Sequence, residues 1–334
     1  MNSKTVSVIG LGYVGLPTAV LAAQKGWEVI GIDVDKQKIA TIQDGKSPIE
    51  DQHLEEQLKQ KPITATTDFS KVAESDVIIV AVPTPVTDTK EPDLTALQSA
   101  LESLTPYLKE DQLLSIESTI NPGVMETIVK PIIDTRPDVK VRIVHCPERI
   151  NPGDKKWTVA NIPRVIGGFT PEATEAGKEF YESILDADVK PIANNTDAEA
   201  VKILENTFRD INIAFVNEMA KSFDRLGIDI TNVINGAATK PFSYLAHYPG
   251  NGVGGHCISV DPYYMIERAR QVGFDHEFLQ LARNINNSMP EYAVELLMNF
   301  LQEQNINPTS MTIAFLGLAY KKNIDDIRES PALT

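Results

Sequence analysis

The sequence predicts an α/β protein: a doubly wound parallel sheet first, a helical region after it, and the start of a further α/β domain at its end. Three observations carry this. Apolar strand-like runs alternate with helix-like stretches up to about Asp197, as a parallel sheet with crossover helices requires. The turn Gly10-Leu11-Gly12-Tyr13-Val14-Gly15 joins the first such strand to the first such helix. Beyond Asp197 the pattern changes to long helical segments.

In chain order, residues 6–9 read as a buried strand and 14–24 as a helix that Gly26 stops. A second strand, Glu28–Ile32, leads into Asp33. Apolar runs at 77–82, Leu113–Ile116 and 141–144 read as three more strands. Residues 201–226 place Leu204, Phe208, Ile211, Phe215 and Met219 at three- and four-residue steps, with Gly227 as the stop. At about 1.5 Å per residue such a helix spans nearly 40 Å, the width of a domain. A Gly/Pro-rich loop follows at 239–262, then further helix through Gln304. The run 311–317 reads as an apolar strand, and a lone strand is not a domain. The expected domains are therefore 1–196, 197–305 and 306–334, the last only begun.

Composition excludes several classes. The 334 residues carry a formal charge of −15, so nonspecific nucleic-acid binding, which needs concentrated Lys and Arg, is not expected. The apolar run at 77–82 is too short to cross a bilayer, and no membrane association is expected. The N-terminal residues run straight into a strand with no export pattern, and two cysteines make no disulfide framework, so a cytoplasmic setting is expected.

The glycine turn is a dinucleotide fingerprint. Its first glycine permits the turn, the second lets a pyrophosphate approach the backbone, and the third lets helix pack on strand. Asp33, placed to accept hydrogen bonds from an adenosine ribose and to repel a 2′-phosphate, favours NAD over NADP. Lys36 and Lys38 work against that preference and Asp35 offsets them. The cofactor-binding residues are expected to be Gly10, Gly12, Tyr13, Val14, Gly15, Asp33 and Lys38. Val82, Pro83, Thr84, Ser118 and Thr119 follow two strands, and either line the cofactor cleft or serve simple turn chemistry.

Gly250, Gly252, Gly254 and Gly255 let backbone approach something closely, and Cys257 sits at the end of that loop with Asp261 beyond it. A cysteine there is either a small core residue or a nucleophile. Lys202, Asn206 and Arg209 share a helix face, with Glu205 and Asp210 falling elsewhere. The stripe is either a solvated side or, given the apolar residues around it, buried. A buried Lys beside an Asn polarises a developing alkoxide. The pairs His145-Cys146 and His256-Cys257 do not chelate well from neighbouring positions, so no metal is expected.

With these pieces placed, the chain resembles the UDP-glucose/UDP-N-acetylhexosamine 6-dehydrogenase family over nearly its whole length. The resemblance rests on Gly10-Leu11-Gly12-Tyr13-Val14-Gly15-Leu16-Pro17, Val82-Pro83-Thr84-Pro85, Glu117-Ser118-Thr119 and Pro147-Glu148-Arg149-Ile150-Asn151-Pro152-Gly153. It continues through Lys202-Ile203-Leu204-Glu205-Asn206, Gly254-Gly255-His256-Cys257-Ile258-Ser259-Val260-Asp261-Pro262, Gly317-Leu318-Ala319-Tyr320-Lys321 and Asp326-Ile327-Arg328-Glu329-Ser330. It implies a Rossmann-like NAD domain, an all-helical dimerisation domain and a UDP-binding α/β domain. It also implies NAD-dependent oxidation of a nucleotide-sugar 6-hydroxyl to a carboxylate through a Cys257 thiohemiacetal and thioester, in a homodimer. By motif position, Lys202 and Asn206 stabilise the oxyanion forms, and Asp261, Thr119 and Glu148 orient or activate water, Asp261 being the base. Arg328 joins the cofactor set. The substrate-binding set is Glu148, Arg149, Asn151, Lys202, Asn206, Arg209, Tyr248, Gly254 and Lys321.

Val260 before Asp261, where UDP-glucose enzymes usually carry lysine, resembles the N-acetylhexosamine branch. Ala238-Thr239-Lys240-Pro241-Phe242 and Tyr248-Pro249-Gly250 resemble UDP-GlcNAc enzymes more than UDP-ManNAc ones. The resemblance further implies a nucleotide-gripping domain of about 100 residues, of which the chain has only the start, so weak UDP-sugar binding is expected. Two rivals remain: a hydroxyacid or 6-phosphogluconate type dehydrogenase, which needs no thiol, and a non-catalytic NAD-binding oligomerisation module.

Overall fold

The computed structural model describes residues 4–49, 51–87, 89–150, 154, 156–255, 257–322 and 326–334, with Gln52 described by its backbone. The chain divides into two compact units, the first ending at Ile203 and the second spanning Leu204–Thr334.

The first unit is an eight-stranded sheet in the order β3-β2-β1-β4-β5-β6-β7-β8. Its strands are β1 (Thr5–Ile9), β2 (Glu28–Ile32), β3 (Thr64–Thr66), β4 (Val77–Val80), β5 (Leu113–Ile116), β6 (Arg142–His145), β7 (Arg164–Gly168) and β8 (Val189–Pro191). All neighbours pair in parallel except β6 with β7. The order reverses between β2-β1 and β4-β5, which creates the switch point beside which ligands of open α/β sheets bind.

Helices α1 (Gly15–Gln24), α2 (Lys36–Gln43), α3 (Gln52–Gln60), α4 (Thr95–Leu104), α5 (Lys130–Ile133) and α6 (Pro171–Ile184) accompany the sheet. Side-chain alternation explains the unbroken apolar strands. Val77 and Ile79 pack in one core with Leu16, Val20 and Phe180, while Ile78 and Val80 pack in another with Leu97 and Leu101. Both faces are thus covered and every position of β4 is buried.

The helix α7 (Asn195–Arg225) carries the division between the units. It begins earlier than its apolar stripe, because the Asn194 side chain accepts from the Asp197 N–H at 2.8 Å and supplies a start signal among polar residues. Gly227 follows its end with φ of +68°, as a helix stop requires.

In the second unit come α8 (Ile230–Ala237), α9 (Asp261–Gln271), α10 (Glu277–Asn287) and α11 (Met289–Glu303). The Asp229 carboxylate caps α8 by accepting from the N–H groups of Thr231 and Asn232, a signal the sequence reading passed over. One expectation is corrected: residues 311–317 form no strand. Strand geometry needs a hydrogen-bonded neighbour, and among the described residues none pairs with this segment. Phe315 is 71 % exposed and Leu316 94 %.

Candidate active site

The dinucleotide loop lies at the carboxyl end of β1. Gly10 has φ of +90°, and a Cβ there would stand 2.6 Å from the Ala81 carbonyl oxygen. A Cβ on Gly15 would stand 1.9 Å from the Gly10 carbonyl oxygen. Packing alone demands these two glycines. Gly12 differs, because nothing lies within 4 Å of a Cβ built there. That open face leaves backbone accessible to a pyrophosphate, and α1 begins beside it without a side-chain cap.

Asp33, at the end of β2, is 7 % exposed. It accepts from the Leu11 N–H at 2.8 Å and the Asp35 N–H at 2.9 Å. Lys38 pairs with it, Nζ to Oδ2, at 3.3 Å. A carboxylate has about four acceptor positions, so one remains on Oδ1 for a ribose hydroxyl. Tyr13 is exposed and Val14 half-buried on the same loop. These residues fit NAD.

At the ends of β4 and β5, the Thr84 hydroxyl donates to the Thr119 carbonyl at 2.7 Å, and the Ser118 hydroxyl donates to the Val82 carbonyl at 2.8 Å. Both segments are thus stitched together at the carboxyl edge of the sheet, with Pro83 exposed. These hydrogen bonds are the turn chemistry of the two segments.

After β6, the Glu148 N–H donates to the Glu117 carbonyl at 3.4 Å. Lys202 on α7 lies 4.0 Å from the Glu148 carboxylate, and both side chains are at least nine-tenths buried. Arg149 donates to the Pro163 carbonyl at 2.8 Å. Asn151 lies outside the described residues, as does His256.

Beneath this edge is a buried polar cluster that the sequence did not announce. Tyr181 donates to the Glu117 carboxylate at 2.7 Å, its hydroxyl lies 2.8 Å from that of Ser115, and Arg164 pairs with Glu117 at 3.6 Å. Burial pushes the neighbouring Cys146 thiol up to about 12 and His145 down to about 3, so Cys146 stays a thiol and His145 stays neutral. Arg164 opens the apolar strand β7 and is itself buried. Only the three-dimensional placement of Glu117 gives it meaning.

In the second unit, Cys257 is exposed. The Asp261 N–H donates to the Cys257 carbonyl at 2.8 Å, so Cys257 stands one turn ahead of α9 and Asp261 opens that helix. Asp261 is 3 % exposed, and its Oδ2 accepts from the Asn206 amide at 2.5 Å. A thiol, a carboxylate and an amide donor therefore belong to one short segment and the helix beside it.

The glycines of the loop admit the protein's own chain. A Cβ on Gly254 would stand 2.6 Å from the Tyr320 Cβ, and one on Gly255 2.7 Å from the Tyr320 ring. The Gly255 N–H also donates to the Arg328 carbonyl at 3.0 Å.

Arg209 is exposed, unlike Lys202, so the stripe on α7 is graded from buried to solvated. Tyr248 is exposed and donates to Asn235 at 2.8 Å. Lys321 lies over the Tyr320 ring at 5.8 Å, and Arg328 pairs with Asp326 at 2.7 Å. Among the described residues no group of three His, Cys, Asp or Glu side chains is arranged to hold a metal ion, and no helix is long and apolar enough to cross a membrane.

Comparison with known proteins agrees with this layout. Residues 4–185 match the UDP-glucose/GDP-mannose dehydrogenase family, NAD binding domain, and residues 196–288 match the central domain of the same family. The chain is 38 % identical to the UDP-N-acetyl-D-mannosamine dehydrogenase of Methanococcus vannielii, over 98 % of this chain and 75 % of that protein. It is 36 % identical to the UDP-N-acetyl-D-glucosamine 6-dehydrogenase of Pseudomonas aeruginosa, over 99 % and 78 %. The structure of the UDP-D-ManNAc dehydrogenase from Pyrococcus horikoshii superposes with a TM-score of 0.91 at 37 % identity, over 98 % of this chain and 79 % of that one. The chain belongs to the UDP-glucose/GDP-mannose dehydrogenase family, and its cofactor is NAD.

Proposed function

We propose that the chain oxidises the 6-hydroxyl of a UDP-N-acetylhexosamine to the carboxylate, with Cys257 as covalent nucleophile. The observation that carries this is the exposed Cys257 one turn ahead of a buried Asp261 that holds the Asn206 amide. The primary alcohol first loses a hydride and a proton to give the aldehyde. The thiol of Cys257 adds to that carbonyl, forming a carbon–sulfur bond. A second hydride leaves the thiohemiacetal carbon as its hydroxyl releases a proton, which gives a thioester. Water then cleaves the carbon–sulfur bond, releasing carboxylate and thiol. The sum is one alcohol, one water and two NAD⁺ giving one carboxylate, two NADH and three protons.

Bound NAD supplies the hydride acceptor for both oxidations. Lys202, buried and paired with Glu148, presents the cation that stabilises the alkoxide. Asn206 keeps its second amide hydrogen for the thiohemiacetal oxyanion. Asp261 accepts the proton of the hydrolytic water, with Glu148 and Thr119 ordering that water. Arg149, Asn151, Arg209, Tyr248, Gly254 and Lys321 contribute to sugar and phosphate binding, and Arg328 to the cofactor side. These roles follow the family motifs residue by residue.

The N-acetylhexosamine class is supported by Val260 before Asp261 and by relatives named for N-acetylmannosamine and N-acetylglucosamine. The segments 238–242 and 248–250 favour UDP-GlcNAc within that class. A homodimer through the helical unit is supported by apolar side chains that α7 leaves in solvent, with Leu204 70 % exposed, Phe208 50 % and Phe215 55 %.

The test is to supply NAD⁺ with UDP-GlcNAc, UDP-ManNAc or UDP-glucose in turn and to count NADH per sugar consumed. Two NADH per N-acetylhexosamine, absent in Cys257→Ser, is the expected result. One NADH per sugar, or a preference for UDP-glucose, contradicts the proposal.

A further inference from the structure

A second buried polar network lies in the helical unit. Asp210 is 1 % exposed, Asn217 0 %, Arg283 4 % and Asn286 0 %. Arg283 donates to the Asp210 carboxylate at 2.7 Å. The Asn286 amide nitrogen donates to that carboxylate at 2.8 Å and to the Asp210 carbonyl at 3.0 Å. Asn217 donates to the Asn286 oxygen at 2.9 Å, and the Gly250 N–H donates to the Asn217 oxygen at 3.0 Å.

Each amide in this chain has one orientation only. A carboxylate accepts and cannot donate, so the NH₂ of Asn286 must face Asp210 and its oxygen must face Asn217. The NH₂ of Asn217 then faces Asn286, which leaves its oxygen for Gly250. Direction is thus set by the ion pair and handed on to the start of the loop that carries Cys257. The far end of the loop is held by the same hub. The Arg283 guanidinium lies 5.5 Å from the centre of the Tyr263 ring and donates to Asn287 at 2.7 Å. Gly252, inside the loop, comes so close that an added Cβ would stand 3.2 Å from the Asn286 carbonyl oxygen.

We propose that Asn217 and Asn286 are positioning residues that fix the cysteine loop, relaying the orientation set by the Asp210–Arg283 pair to Gly250. The proposal rests on Cys257 being the nucleophile. Buried hydrogen-bond networks specify one geometry, and here that geometry is the path of a loop four of whose residues are glycine.

The test separates positioning from stability. Asn217→Ala removes both bonds, whereas Asn217→Asp keeps an acceptor for the Gly250 N–H but turns a carboxylate oxygen toward the Asn286 oxygen. Amide hydrogen exchange over residues 248–260 is followed for both variants and for Asn286→Ala, alongside melting temperature, kcat and the KM for NAD⁺. We expect exchange in this segment to accelerate about ten-fold in Asn217→Ala, the worth of one buried hydrogen bond. The same acceleration is expected in Asn286→Ala, whose loss releases Asn217. In both, kcat falls about ten-fold while the KM for NAD⁺ is unchanged. In Asn217→Asp, exchange stays near that of the unsubstituted protein although its melting temperature falls. Exchange that follows melting temperature across the three variants overturns the proposal, as does unchanged exchange in Asn217→Ala. If Asn217→Ala does not fold, Asn217→Asp and Asn286→Ala give the same contrast. Hydrogen exchange needs no substrate, so a Cys257→Ser variant that still yields two NADH per sugar sinks the nucleophile and leaves the loop result standing.

Discussion

His145 shows how burial alone makes a residue pH-sensitive. In the unfolded chain its imidazole titrates near its ordinary value of 6.5, and in the fold burial holds it at about 3. Above pH 6.5 both states are neutral and nothing is lost. As pH falls toward 3 the unfolded state takes up a proton that the folded state refuses, and stability declines by up to about 1.4 kcal/mol per pH unit. Urea unfolding between pH 7 and pH 5, where few carboxylates titrate, measures this decline. His145→Leu is expected to flatten it, and an unchanged slope in that variant removes His145 as its cause.

The glycines make an equally local contrast. Gly15→Ala forces a Cβ to 1.9 Å from a carbonyl oxygen and is expected to destabilise the fold by more than about 3 kcal/mol. Gly12→Ala meets nothing within 4 Å, so it keeps the melting temperature and weakens NAD binding alone. Calorimetric melting beside NAD titration separates the two. Both glycines were legible in the sequence because a phosphate loop constrains backbone over six successive residues. Arg164, Asn217 and Asn286 were not, because what fixes their roles lies far away in the chain. Glu117, for instance, is the partner of Arg164 across two strands.

At the level of elements, legibility followed length and neighbours. The strands Glu28–Ile32 and Leu113–Ile116 were read with the bounds they have, since fully covered strands are continuous apolar runs. The three-residue β3 and β8 carry too little pattern to be seen. Residues 311–317 have strand composition and no strand, because hydrogen-bond partners and not composition make one. The helix α6 is tied to the sheet through Tyr181, and β7 through Arg164. Removing Arg164 by substitution to Leu leaves the Glu117 carboxylate buried without its cation, and a loss of about 3–5 kcal/mol in urea unfolding is expected. Tyr181→Phe, which removes the hydroxyl's hydrogen bonds to Glu117 and Ser115 and leaves the ion pair, is expected to cost about 1–2 kcal/mol. Equal losses in the two variants contradict this account of the cluster.

For the whole molecule, the sequence conveyed a dinucleotide-binding sheet followed by helices, and the chain matches the NAD-binding and central domains of the family. What it conveyed less well is which apolar helix residues face solvent. Leu204, Phe208 and Phe215 form part of one apolar stripe in the sequence, which does not say whether it is covered, and they are exposed on α7. If these side chains meet a second copy, Phe208→Glu with Phe215→Glu converts the particle seen by light scattering from dimer to monomer. A dimer that survives both substitutions places the interface elsewhere.

The central claim is that one thiol carries the second oxidation. The most direct measurement is to quench the protein during turnover with UDP-GlcNAc and NAD⁺ and to weigh the peptide containing Cys257. A mass increase equal to the sugar nucleotide as a thioester is expected, released by hydroxylamine and absent from the Cys146 peptide. Complete oxidation with Cys257 unmodified at every time point, and undiminished in Cys257→Ser, contradicts it.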